Sequence, residues 1–248
     1  MNARLAPLSV PALVVLHLLP GGIATLVFVL LAGPIETAGY PPLAAFLIAI
    51  GVGIVPFELG AVLLAGRQAS PRGGILAAVP YRRPMHRREW LILAPGLLVV
   101  GVVGFGLLAL LEPPTRDALF GWVPDWFVSP VALESVEDYS SSVWIVTLVA
   151  YLALNAMVGP VVEELYFRGY LLPRMSQFGR WAPLANVVLF SVYHFWSPWQ
   201  LLSRLAGITP FAYAVWWKEN VYLGIVVHVA LNTISVATVI AIVMGKLS

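Results

Sequence analysis

Six polar residues in apolar surroundings are candidates for chemistry. Glu163 and Glu164 stand side by side in VVEELYFRGY (161–170), followed by Arg168. Further on, FSVYH ends in His194, and HVALN carries His228 and Asn232. On a helix, Glu164 and Arg168 share a face at i, i+4 with the acid N-terminal, the better orientation for an ion pair. Glu163 lies about 100° around the axis. Arg168 can therefore neutralise Glu164 and leave Glu163 free to face a ligand. Ionisable groups at membrane depth cost roughly 2.5–3.5 kcal/mol on insertion scales and tend to face a bundle interior or a wet cavity. Acids, a histidine, then a histidine with an amide, each on its own helix, form a pattern no single residue would.

If these groups meet, the chemistry they could do is amide hydrolysis inside the membrane. Glu163 would be the general base that activates a water, with His194 orienting that water or sharing its proton. His228 and the Asn232 amide would donate to the developing oxyanion, where removing one donor typically costs about 3–4 kcal/mol. The chain has no HExxH helix, no GxSxG elbow and no cysteine, which removes those zinc and nucleophile classes. Its aspartates, Asp117, Asp125 and Asp138, all fall in one acidic stretch, so a buried aspartyl dyad is excluded. Glu163, His194 and His228 are also acceptable Zn²⁺ ligands. A catalytic zinc wants a second contact orienting each histidine, and few polar residues are spare in these segments. The metal-free mechanism, with no cofactor, is therefore the favoured expectation and Zn the alternative.

The elements that must position these residues are membrane helices. Of 248 residues, 60% are hydrophobic and 10% charged, against about 25% charged in a soluble domain, and mean hydropathy is +0.89. The expected fold is all-α: a polytopic transmembrane bundle of about seven spans (six to eight) around an intramembrane catalytic cavity. The spans are read at 11–32, 43–66, 90–111, 143–157 continuing to about 176, 181–196, 199–217 and 221–245. Gly159 and Pro160 interrupt the fourth, so 161–175 reads as a new or kinked helix. Residues 1–142 form an N-terminal set of helices and 143–248 the catalytic core. His17, in the first span, reads as a packed residue. Glu58, two residues after Pro56, reads as an acid paired with a neighbouring helix or with backbone freed at the proline.

Loop charge sets the orientation. The stretch 67–88 carries Arg67, Arg72, Arg82, Arg83, Arg87 and Arg88, as short cytoplasmic loops do. That puts the N-terminus, with Arg4, in the cytoplasm. The loop could also meet anionic head groups. The stretch 112–142 holds Glu112, Asp117, Asp125, Glu134, Glu137 and Asp138 and is expected outside. Its aromatic middle, 119–128, is expected to lie in the interface. Counted alternately, seven spans leave the C-terminus outside. This count is in tension with the motifs, because His228 lies only a third of the way into its span.

EELYFR, FSVYH and HVALN match, in order, the EExxxR, FxxxH and HxxxN motifs of the CAAX-protease and bacteriocin-processing (CPBP) intramembrane proteases, also called the ABI or type II CAAX prenyl endopeptidase family. The resemblance spans about 143–245, and FELGAVLLAG and GPVVEELYFRGYLLPRM look like a bacterial branch. It implies a multi-pass protein of the plasma membrane that cleaves membrane-associated or lipidated peptides. Glu163 would be the catalytic acid, Glu164 its neighbour paired with Arg168, His194 the water partner, and His228 with Asn232 the oxyanion side. Membrane lipid and a peptide or protein substrate are the expected partners, and nucleic acid is not. Two other readings stay open: a non-enzymatic immunity or scaffold protein of the same fold, and a proton-coupled transporter using Glu58, Glu163 and the histidines.

Overall fold

The computed structural model describes residues 6–70, 72, 74–128 and 133–247. Arg4 of the basic set and 129–132 of the acidic stretch lie outside them. Among the described residues the chain is helical and has no strand, only one isolated bridge between Arg82 and Asn220. Among the described residues five helices are long and apolar enough to cross a membrane. They are α1 (Val10–Thr37), α2 (Pro42–Ala69), α3 (Arg87–Ala109), α5 (Ser141–Arg174) and α8 (Val221–Leu247). The short α4 (Glu112–Phe120) follows α3. The two remaining apolar stretches are shorter helices, α6 (Ala182–Tyr193, 12 residues) and α7 (Leu201–Lys218, 18 residues). They form a hairpin packed against α1 and α3.

Loop contacts fix which ends lie together. Leu8 N–H donates to the Arg174 carbonyl at 3.1 Å, Val221 N–H to Tyr81 at 2.8 Å, and Arg83 N–H to Glu219 at 2.9 Å. Lys218 pairs with Glu89 at 2.6 Å. The basic stretch, the end of α5 and the start of α8 therefore share one side. At the other end, Lys246 donates to the Leu133 carbonyl at 2.6 Å, and Trp126 and Phe127 pack edge-on and tilted against Phe28. The C-terminal end of α8 thus sits with the acidic stretch, as an odd number of passes requires. The depth tension dissolves, because α8 starts on the side where α5 ends and α6 begins, so each motif is counted from the same face.

Helix α5 differs from expectation. Gly159–Pro160 does not break it. Instead the chain widens into π-helical turns at Leu152–Val158 and Glu164–Leu171. Pro160 lacks the N–H that would close its turn, and a π-bulge absorbs such a defect without ending the helix. In the wide register Gly159 N–H donates to the Leu154 carbonyl. The next carbonyl, on Asn155, would need Pro160 N–H. It takes the Asn232 side-chain amide instead, at 2.9 Å. Outside the core, α3 turns Leu91, Ile92, Val99 and Leu107 outward. Such a continuous apolar face is what lipid covers.

Because the natural sequence has no cysteine, single-cysteine labelling can test this arrangement. In sealed vesicles, Ser70→Cys and Ser176→Cys should react with an impermeant maleimide from one face and Ser142→Cys from the other. Reaction of Ser70→Cys and Ser142→Cys from the same face would rule the arrangement out.

Candidate active site

Three helices bring the predicted residues together. A cavity of about 530 Å³ is lined by Glu163 on α5, His194 just past the end of α6, and His228 and Asn232 on α8. Phe46, Ile50 and Ile54 of α2 close its apolar wall, so the N-terminal helices contribute to it as well.

Glu164 is the anchor. Its side chain and that of Arg168 are fully buried, with Arg168 Nη1 3.2 Å from Glu164 Oε1. The guanidinium lies 4.1 Å over the Phe190 ring and 5.6 Å from that of Phe211. Aromatic faces thus supply part of the solvation that water would otherwise give. The i, i+4 pairing read from sequence is present. A third partner, not legible from spacing, is His228, whose Nδ1–H donates to Glu164 Oε1 at 3.0 Å. The remaining oxygen, Oε2, packs against Gly224, where any Cβ would overlap the carboxylate. The glycine is what lets α8 approach the acid closely.

Glu163 faces the other way. Its Oε1 accepts from the Tyr193 hydroxyl at 3.2 Å, and its Oε2 lies 3.8 Å from His228 Nε2. His194 donates from Nδ1 to the Phe190 carbonyl at 2.7 Å, which fixes the tautomer and leaves Nε2 as a free acceptor on the cavity. Both histidines are therefore held through Nδ1 and present Nε2. Asn232 is partly committed: one amide hydrogen goes to Asn155, and one remains. His17 is structural, with Nδ1 donating to the Leu13 carbonyl at 2.7 Å and Nε2 within 3.0 Å of the Asn186 amide.

Zinc can be tested against this geometry. The two imidazoles are oriented by second contacts as metal ligands are, so the expectation that such contacts would be missing is corrected. The donor set itself does not close. Among the described residues no three His, Asp or Glu side chains converge on a metal position.

The cavity wall also holds a polar cluster that sequence reasoning passed over. Buried Arg204 donates to the Ser197 carbonyl at 2.9 Å and to Gln200 Oε1 at 2.7 Å, and also contacts the Ser197 hydroxyl. Gln200 in turn donates to Glu112 Oε2 at 3.1 Å, and Ser203 binds the same carboxylate. Arg204 was legible by the rule that found Glu163, a charge inside an apolar run. Tyr193 carried no signal beyond its place beside His194.

Residues 144–234 match the family model described as Type II CAAX prenyl endopeptidase Rce1-like. No curated protein and no solved structure matches the chain. The matched stretch begins in α5 and ends in α8, and so contains Glu163, Glu164, Arg168, His194, His228 and Asn232. Over that stretch the chain is similar to the Rce1-like type II CAAX prenyl endopeptidases.

Proposed function

We propose that the chain hydrolyses a peptide bond of a membrane-associated substrate with a water activated by Glu163. The observation that carries this reading is the convergence of Glu163, His194 and His228 on one cavity, each with an unengaged side-chain atom facing it. A water there can donate one hydrogen to the Glu163 carboxylate and the other to His194 Nε2. Its lone pair then points at a carbonyl lying between the acid and α8. Glu163 takes the proton as the C–O bond forms and can return it to the leaving amine. For His228 Nε2 to donate to the oxyanion, the ring must carry both protons. Glu164 on Nδ1 and Glu163 near Nε2 are the carboxylates that balance that charge. The second Asn232 hydrogen is available to the same oxyanion.

The test is cleavage of membrane-anchored peptides, lipidated and not, by the full chain in liposomes, run in oxygen-18 water. One heavy oxygen in the new carboxylate is expected. Intact peptides throughout would favour a binding role for the fold. Prolonged chelation should leave the rate unchanged, and activity that disappears with chelator and returns with Zn²⁺ would overturn the metal-free step.

The division between the acids gives a second test. Glu163→Gln should lower the rate by about 10²–10⁴-fold with an unchanged melting midpoint. Glu164→Gln and Arg168→Leu each orphan a buried charge and should each lose about 3–5 kcal/mol of stability. The double variant should lose less than the two losses added, since it removes the orphan. A stable, inactive Glu164→Gln beside an unstable Glu163→Gln would reverse the assignment.

A further inference from the structure

The mechanism leaves one buried acid unused. Glu58, on α2, is fully buried, and among the described residues no cation lies within ion-pair distance of it. The polar side chains around it are Tyr193, Glu163 and Arg168. The expected neighbouring-helix partner is therefore no base but the Tyr193 hydroxyl, which lies within reach of both Glu58 and Glu163.

Counting protons decides how three oxygens can share this space. A tyrosine hydroxyl has one hydrogen to give and lone pairs to accept with. That hydrogen is directed at Glu163 Oε1, so neither oxygen of Glu58 receives a bond from it. A second ionised carboxylate against the same oxygen would be both repelled and unsolvated. A neutral carboxylic acid instead has a hydrogen to donate to the Tyr193 oxygen. The surroundings leave the ring little freedom. Tyr193 is fully buried, with Phe167 at 5.0 Å and Trp196 at 5.4 Å between centroids. On α1, Gly21 sits so close that any Cβ would overlap the Tyr193 carbonyl.

We propose that Glu58, as a neutral acid, donates to the Tyr193 oxygen and so turns the Tyr193 hydroxyl onto Glu163 Oε1, leaving Oε2 aimed into the cavity. Glu58 and Tyr193 are positioning residues acting in series, with Glu58 working only through Tyr193. The inference rests on the reading of Glu163 as the base, but its hydrogen-bond chain can be observed without turnover.

Two measurements test it on the purified full chain in lipid. In the infrared spectrum a protonated-carboxyl C=O band is expected. Glu58→Gln should remove it, and Tyr193→Phe should shift it to higher frequency because its acceptor is gone. A band absent from the wild type, or indifferent to both substitutions, overturns the proposal. If Glu58→Gln does not fold, the shift in Tyr193→Phe decides alone. In turnover, Tyr193→Phe keeps the ring and should lower kcat about tenfold with KM nearly unchanged, as expected for one lost hydrogen bond. The double variant with Glu58→Gln should be no slower than Tyr193→Phe, whereas losses that multiply would show two independent roles. A correct band pattern without any hydrolysis would sink the reading of Glu163 and leave the Glu58–Tyr193 arrangement standing.

Discussion

The buried carboxylate of Glu164 is the constraint around which the core is assembled. It is fully excluded from water, forms an ion pair with Arg168 on its own helix and accepts a hydrogen bond from His228 on another. An ionised acid in such a place is strongly unfavourable alone, and its partners must be fixed before the bundle can close. That requirement dictates the local packing. Gly224 lets α8 come close enough for His228 to reach, and Phe190 offers its face to the guanidinium. Once His228 is held through Nδ1, its Nε2 can only point toward Glu163 and the cavity. The buried pair thus aims His228 Nε2.

A second constraint comes from a single missing hydrogen. Pro160 cannot close its helical turn, and the chain answers with a π register rather than a break. The register leaves the Asn155 carbonyl without a backbone donor, and Asn232 fills the place. The same substitution of side chain for backbone ties α8 to α5 just below the acids. The HxxxN spacing is then explained on both counts: His228 reaches Glu164, and one turn later Asn232 reaches the carbonyl that the proline orphaned.

Much of this was legible in the sequence, for reasons that can be named. Apolar length gave the helices, arginine placement gave one side to 67–88 and the start of the chain, and charges inside apolar runs gave Glu163, Glu164 and Arg168. What was not legible depends on register and on three-dimensional neighbours. Sequence spacing shows that a histidine and an asparagine share a face, not which carbonyl or carboxylate they meet. The interruption at Gly159–Pro160 was visible, but whether a proline breaks, kinks or widens a helix depends on what can replace its lost bond. Glu58 was visible as a buried acid, while its neighbour Tyr193 was hidden among eleven Phe and nine Tyr residues in an aromatic-rich chain.

The proposed hydrolysis within a membrane also needs water where lipid surrounds the protein. The cavity wall also carries polar groups that offer water partners. Arg204, Gln200 and Glu112 form a chain in which the amide bridges guanidinium and carboxylate rather than letting them pair directly. Each member satisfies its neighbour, so the cluster is stable when dry, and each keeps capacity for water. The polar groups on the wall are then of two kinds. One set, at Glu163, His194 and His228, is arranged to leave unengaged atoms facing inward. The other is nearly self-satisfied and gives water hydrogen-bonding partners without binding it tightly. Water near Glu163 needs such partners on the way, since apolar surroundings offer it nothing to bond.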